Sequence, residues 1–123
     1  MHKRAAVAAV GVLWFLAIGA LDAGEMMRVQ VSPSVSRAPA DLVVRVSLEA
    51  AVENRFLRVV AESADFYRSS EISIDGERTP PLNVFEFRNL PAGLYQVTGV
   101  LLGSRGRRAT VSRLARVEPP FGR

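Results

Sequence analysis

The stretch Leu42-Val43-Val44-Arg45-Val46-Ser47-Leu48 constrains this chain more than any other segment. Leu42, Val44, Val46 and Leu48 share one parity, while Arg45 and Ser47 take the other. Successive side chains of an extended strand point to opposite faces, so the pattern predicts a strand with one buried and one solvated face. Shorter runs of the same kind follow along the chain, rich in β-branched and aromatic residues and punctuated by turn residues.

Met27 to Val31 reads as a first strand, stopped by Ser32-Pro33. Glu49 to Glu53 either extends the second strand or makes a helical turn, with Asn54 ending it. Phe56 to Ala61 is a third strand, with Leu57, Val59 and Ala61 inward. Ile72 and Ile74 mark a fourth, closed by the turn dipeptide Asp75-Gly76, and Pro80-Pro81 forces a break. Val84 to Arg88 sets Phe85 and Phe87 against Glu86 and Arg88. Leu94 to Leu102 is expected to be the longest clear strand. After a hairpin loop, Gly103-Ser104-Arg105-Gly106, Ala109 to Val117 is the last. About seven short strands with no convincing helix between them predict an all-β, seven-stranded antiparallel sandwich over residues 27–118. Pro119-Pro120 opens a short tail, 119–123.

The N-terminus is of a different kind. Lys3 and Arg4 precede an uncharged apolar run from Ala5 to Leu21, and Asp22 and Glu25 follow it. This is the pattern of a signal peptide or an uncleaved signal anchor over residues 1–23, expected to be a hydrophobic helix. Ala20 and Ala23 are candidate cleavage positions, although Ile18 and Leu21 two places upstream are not small. Seventeen helical residues would span roughly 25 Å, short of the roughly 30 Å of a hydrocarbon core. Both fates stay open, but the charge asymmetry keeps the basic side in the cytoplasm and sends the C-terminal domain across. The expectation is an exported domain, periplasmic or extracellular. Any membrane contact would run only through residues 5–21, if that segment is retained.

Composition removes several classes of chemistry. The chain has no cysteine, which excludes disulfides, thiolate catalysis and Cys-based zinc sites. Its single histidine is His2, so Ser-His-Asp and Cys-His machinery is excluded from the domain. The acids are scattered, and Glu49/Glu53 and Asp75/Glu77 read as solvated surface charges. Asp75-Gly76-Glu77 lacks the other ligands of a calcium loop. No catalytic residue, cofactor or metal site is expected. The formal net charge is +4, but beyond residue 23 it reduces to 14 Arg against 11 acids, with the signs interspersed. No nucleic-acid partner is expected from that distribution.

The segment Asn89-Leu90-Pro91-Ala92-Gly93-Leu94-Tyr95-Gln96-Val97 resembles the tyrosine corner of immunoglobulin-like and fibronectin type III-like β-sandwich modules of exported proteins. The resemblance implies that Leu90, Gly93 and Tyr95 form a structural corner. The Tyr95 ring would fill the end of the core while its hydroxyl bonds upstream backbone, and Gly93 would take a backbone conformation closed to other residues. The cysteine pair and core tryptophan of antibody domains are missing, since Trp14 lies in the N-terminal segment.

Two groups of residues are candidates for an interaction surface. Phe66, Tyr67 and Arg68 lie in Ala64 to Ser70, expected to be a loop, and adjacent aromatics with arginine are enriched in protein contacts. Arg105, Arg107 and Arg108 cluster at a hairpin tip. The reading is a non-enzymatic exported module mediating protein–protein contact with another envelope protein, or serving a structural role there. The alternatives are a glycan- or peptidoglycan-binding module and a membrane-anchored accessory subunit of an envelope complex.

Overall fold

In the computed structural model, which describes residues 26–122, eight strands are arranged in two facing sheets: β1 (Met27–Ser32), β2 (Val35–Arg37), β3 (Ala40–Leu48), β4 (Asn54–Glu62), β5 (Tyr67–Ser73), β6 (Leu82–Leu90), β7 (Gly93–Gly103) and β8 (Gly106–Glu118). One sheet has the order β1-β3-β6 and the other β2-β8-β7-β4-β5. The expected helix over residues 1–23 lies outside the described residues. Among the described residues no helix is long and apolar enough to cross a membrane.

The core follows the parity read from the sequence. Leu42, Val44 and Val46 of β3 are fully buried, as are Leu57, Val59 and Ala61 of β4, and Phe85 and Phe87 of β6 join them. Tyr95, Val97 and Leu101 of β7 complete the facing layer. The sheets approach closely at Gly99, where an added Cβ would lie 2.9 Å from Val29 Cγ2 and 3.4 Å from Met27 Sδ. A side chain there would push β1 off β7.

The topology departs from expectation in three respects. There are eight strands among the described residues rather than seven, and one pairing is parallel: β2 lies alongside β8 through Val35↔Arg116 and Arg37↔Glu118. The three residues of β2, set between Ser32-Pro33 and Ala38-Pro39, are too few to show a period-2 signal, so β2 reads as loop. Second, Ala64 to Ser70 is not one loop, because Tyr67 begins β5. All seven residues of β5 are exposed, so burial leaves no alternation to read. Ile74, expected inside that strand, follows it and is buried. Third, Asn54 starts β4 instead of ending the strand before it, and β8, at 13 residues, exceeds the 11 of β7. Because β5 pairs with β4 and β2 adds to β8, the strands divide three and five. The constant-type immunoglobulin arrangement divides four and three.

Candidate functional site

β4 ascends from Asn54 to Glu62, β5 descends from Tyr67, and β7 descends from Gly93 to Gly103. The turn holding Phe66 therefore lies at the same end as the Pro91–Gly93 corner. The β7–β8 hairpin lies at the opposite end, beside Met26 and Leu48. The two candidate clusters are separated by the length of β7, roughly 35 Å at about 3.3 Å per residue. The structure does not bring them together.

At the corner end, Leu90 and Tyr95 are fully buried, and the Tyr95 hydroxyl donates to the Pro91 carbonyl at 2.7 Å. Burial pushes the Tyr95 phenol above its ordinary value, while the Ser63 hydroxyl and the Arg68 guanidinium pull it partly back. The left-handed residue of this corner is Asn89, at φ 59°, not Gly93. The Asn89 amide donates to Asp41 Oδ1 at 2.9 Å, which holds that conformation. Gly93 has a steric reason instead: an added Cβ would lie 3.1 Å from Ser63 Cβ.

Strand alternation sends Phe66, Tyr67 and Arg68 in different directions. The Phe66 ring meets Tyr95 edge-on, with centroids 6.3 Å apart and planes at 74°. It closes the core rather than facing a partner. Arg68 stacks over Phe66 at 5.0 Å and donates to the Arg88 carbonyl of β6 at 2.7 Å. Tyr67 takes the outer face of the sheet, 59% exposed, beside Glu62.

The hairpin end is organised around a buried amide. Asn54 Nδ2 lies 3.1 Å from both the Glu49 carbonyl and Thr79 Oγ1, and Asn54 Oδ1 accepts from Arg108 Nε at 3.2 Å. The Thr79 hydroxyl donates onward to the Gly76 carbonyl at 2.6 Å. The Glu49 amide in turn donates to the Met26 carbonyl at 3.0 Å. Arg108 is thus anchored, while Arg105 and Arg107 belong to none of the ion pairs among the described residues.

Two surfaces were not singled out in the sequence. The outer face of the five-stranded sheet carries a row, Leu114–Gln96–Glu62–Tyr67, with Leu94 diagonal to Leu114. Leu114 is 65% exposed and Leu94 57%. The second is a groove of about 540 Å³ between β5 and β6, lined by Ser70, Ile72, Pro80, Leu82, Val84 and Glu86. A signal for it was present. Leu82 and Val84 are apolar on the parity opposite Phe85 and Phe87, and an apolar residue on the solvated face of a strand invites a search for what it touches.

No protein-family model matches the chain, and no curated protein does. Among solved structures, the superoxide reductase (neelaredoxin) of Ignicoccus hospitalis superposes with a TM-score of 0.56 at 12% identity, over 76% of this chain and 80% of that one. A family 76 glycoside hydrolase from Bacteroides thetaiotaomicron gives 0.53 at 15% identity, over 74% of this chain and 20% of that one. At such identities the likeness is one of fold, and fold does not carry chemistry. What the chain shares with them is an all-β sandwich of two facing sheets.

Proposed function

We propose that this chain is an exported, non-enzymatic β-sandwich module that works by contact with another protein of the cell envelope. The observation that carries this reading is the outer face of the five-stranded sheet, where Leu114 and Leu94 lie diagonally adjacent and Tyr67 ends the same row beyond Gln96 and Glu62, each of the three more than half exposed. Exposed apolar residues grouped on one face mark contact surfaces more often than scattered ones do. Neither neighbour's activity transfers. Redox iron and copper centres are built from imidazole and thiolate ligands, and this chain has no cysteine and only His2. Paired carboxylates for glycoside hydrolysis lack support as well, since Glu71 and Glu86 are engaged by Arg58 and Arg88. A glycan platform would need free rings side by side, and Phe66 is committed to Tyr95 while the exposed Tyr67 and Phe56 stand at opposite ends of the sheet.

The test is in-cell photocrosslinking from a photoreactive phenylalanine analogue at position 114, with fractionation and mass measurement of the N-terminus. A discrete crosslinked protein in the envelope fraction is expected. A chain found in the cytoplasm, or one that gives no adduct from position 114 or from position 67, refutes the reading.

A further inference from the structure

β5 is the last strand of its sheet, and two hydrogen bonds set the phase of its backbone. The Ile74 amide donates to the Arg55 carbonyl at 2.7 Å, and the Ser63 amide to the Phe66 carbonyl at 2.8 Å. Amide and carbonyl of one strand residue point the same way, and the direction alternates along the strand. Within the register Leu57↔Ile72, Val59↔Ser70 and Ala61↔Arg68, the backbone groups of Arg68, Ser70 and Ile72 therefore face β4. Those of Tyr67, Ser69, Glu71 and Ser73 face away from the sheet.

The same reasoning applies to β6. The Leu48 amide donates to the Pro81 carbonyl at 3.0 Å, so within the β3–β6 register Leu82, Val84, Glu86 and Arg88 direct their backbone groups to the open side. Arg68 already bonds one of these groups, the Arg88 carbonyl, and so closes the upper end of the groove. The lower end stays open and is lined by Ile72, Leu82 and Val84, the last two more than half exposed. A free strand edge beside a groove of mixed lining, apolar at its lower end, combines the two parts of strand-addition recognition: main-chain bonds for affinity, and room for alternate side chains for selectivity.

We propose that β5 accepts an extended segment of a partner protein, which adds as a sixth strand to the five-stranded sheet. The segment bonds the backbone of Tyr67, Ser69, Glu71 and Ser73, and it sets apolar side chains at alternate positions against Ile72, Leu82 and Val84. A second copy of β5 is the poorer occupant. Antiparallel pairing about Ser70 would bring its Arg68 opposite Ile72, a charge against the apolar part of the groove. This inference rests on the reading of a protein-binding module and specifies how one partner is held.

The test uses the full-length chain in mild detergent and a phage-displayed library of random octapeptides. Selected peptides should carry apolar residues at every second position. They should slow hydrogen exchange at the amides of Tyr67, Ser69, Glu71 and Ser73, leaving those of Arg68, Ser70 and Ile72 unchanged. Ser69→Pro removes an amide that faces away from β4, as edge strands tolerate, and should weaken binding at least about tenfold. Val84→Glu, on the exposed rim of the groove, should do the same and carries the test if Ser69→Pro fails to fold. The proposal is overturned if no alternating peptides are enriched, or if both variants bind them as tightly as the parent does. It is overturned too if the same amides are already protected in the protein alone in a concentration-dependent way, which would make a second copy the occupant. A crosslink from position 114 would survive any of these outcomes, so failure here is distinct from failure of the broader reading.

Discussion

The two ends of this sandwich use arginine in opposite ways. At the corner end Arg68 stacks over a ring that itself packs on Tyr95, and its guanidinium bridges the two sheets through the Arg88 carbonyl. At the hairpin end the sheets are tied by uncharged groups, Asn54 and Thr79, with Arg108 leaning on the amide from outside. Arg105 and Arg107 project beyond that network. The difference lies in what is beneath each arginine. Over an aromatic ring a guanidinium finds both a π face and an acceptor, and it becomes part of the fold. Over a polar network it finds a single amide oxygen, as Arg108 does on Asn54, and the arginines beyond the network, Arg105 and Arg107, join none of the ion pairs among the described residues.

This contrast can be broken by measurement. Asn54→Ala should have the largest effect, about 3 kcal/mol lost in urea unfolding, because it removes the donor to the Glu49 carbonyl and Thr79 Oγ1 and the acceptor of Arg108 at a buried position. A loss below about 1 kcal/mol would show that the hairpin end is not held by this amide. Tyr95→Phe should cost about 1–2 kcal/mol by leaving the Pro91 carbonyl without its donor.

The same variant sharpens the comparison with pH. Burial raises the Tyr95 phenol, so the folded state favours its neutral form. The stability this contributes is complete below the unfolded value of about 10 and is lost as pH rises through the higher folded value. Parent and Tyr95→Phe unfolding curves should therefore converge above pH 10, and a constant gap up to pH 11 would contradict that assignment. Arg68→Gln should cost about 0.5–1 kcal/mol, read as a lowered melting temperature. Arg105→Gln combined with Arg107→Gln should stay within about 0.5 kcal/mol of the parent. If that double variant costs as much as Arg68→Gln, the two ends do not differ in the way described.

Burial decided what could be read from the amino acids alone. The inward residues of β3, β4 and β6 were legible because one face of each strand is covered by the other sheet, so Leu57, Val59, Ala61, Phe85 and Phe87 announce themselves by parity. β2 and β5 lie at the rims, where no such cover exists, so β2 looks like loop and only the Ile72 end of β5 reads as strand. The Phe66-Tyr67-Arg68 triplet was legible as composition but not as geometry. Which member closes the core, which bridges the sheets and which faces solvent depends on where β5 begins. Of the hairpin arginines Arg105 lies in the turn while Arg107 and Arg108 begin β8, and the tether between Arg108 and Asn54 spans 54 positions and leaves no local trace. The groove needs two strand rims to come side by side, and no single segment encodes that.

The placement of the strand ends has a mechanical consequence. Met26 leaves the sandwich at the hairpin end, whereas β8 finishes at Glu118 at the corner end, paired alongside the start of β7. Tension applied between those points would run parallel to the strands, so the rungs of the β1–β3 and β7–β8 ladders would be sheared together instead of opened one by one. A chain held at one terminus and pulled from the other would resist as a unit, with the first yield expected in β1, the shorter of the two outer anchors at six residues against 13.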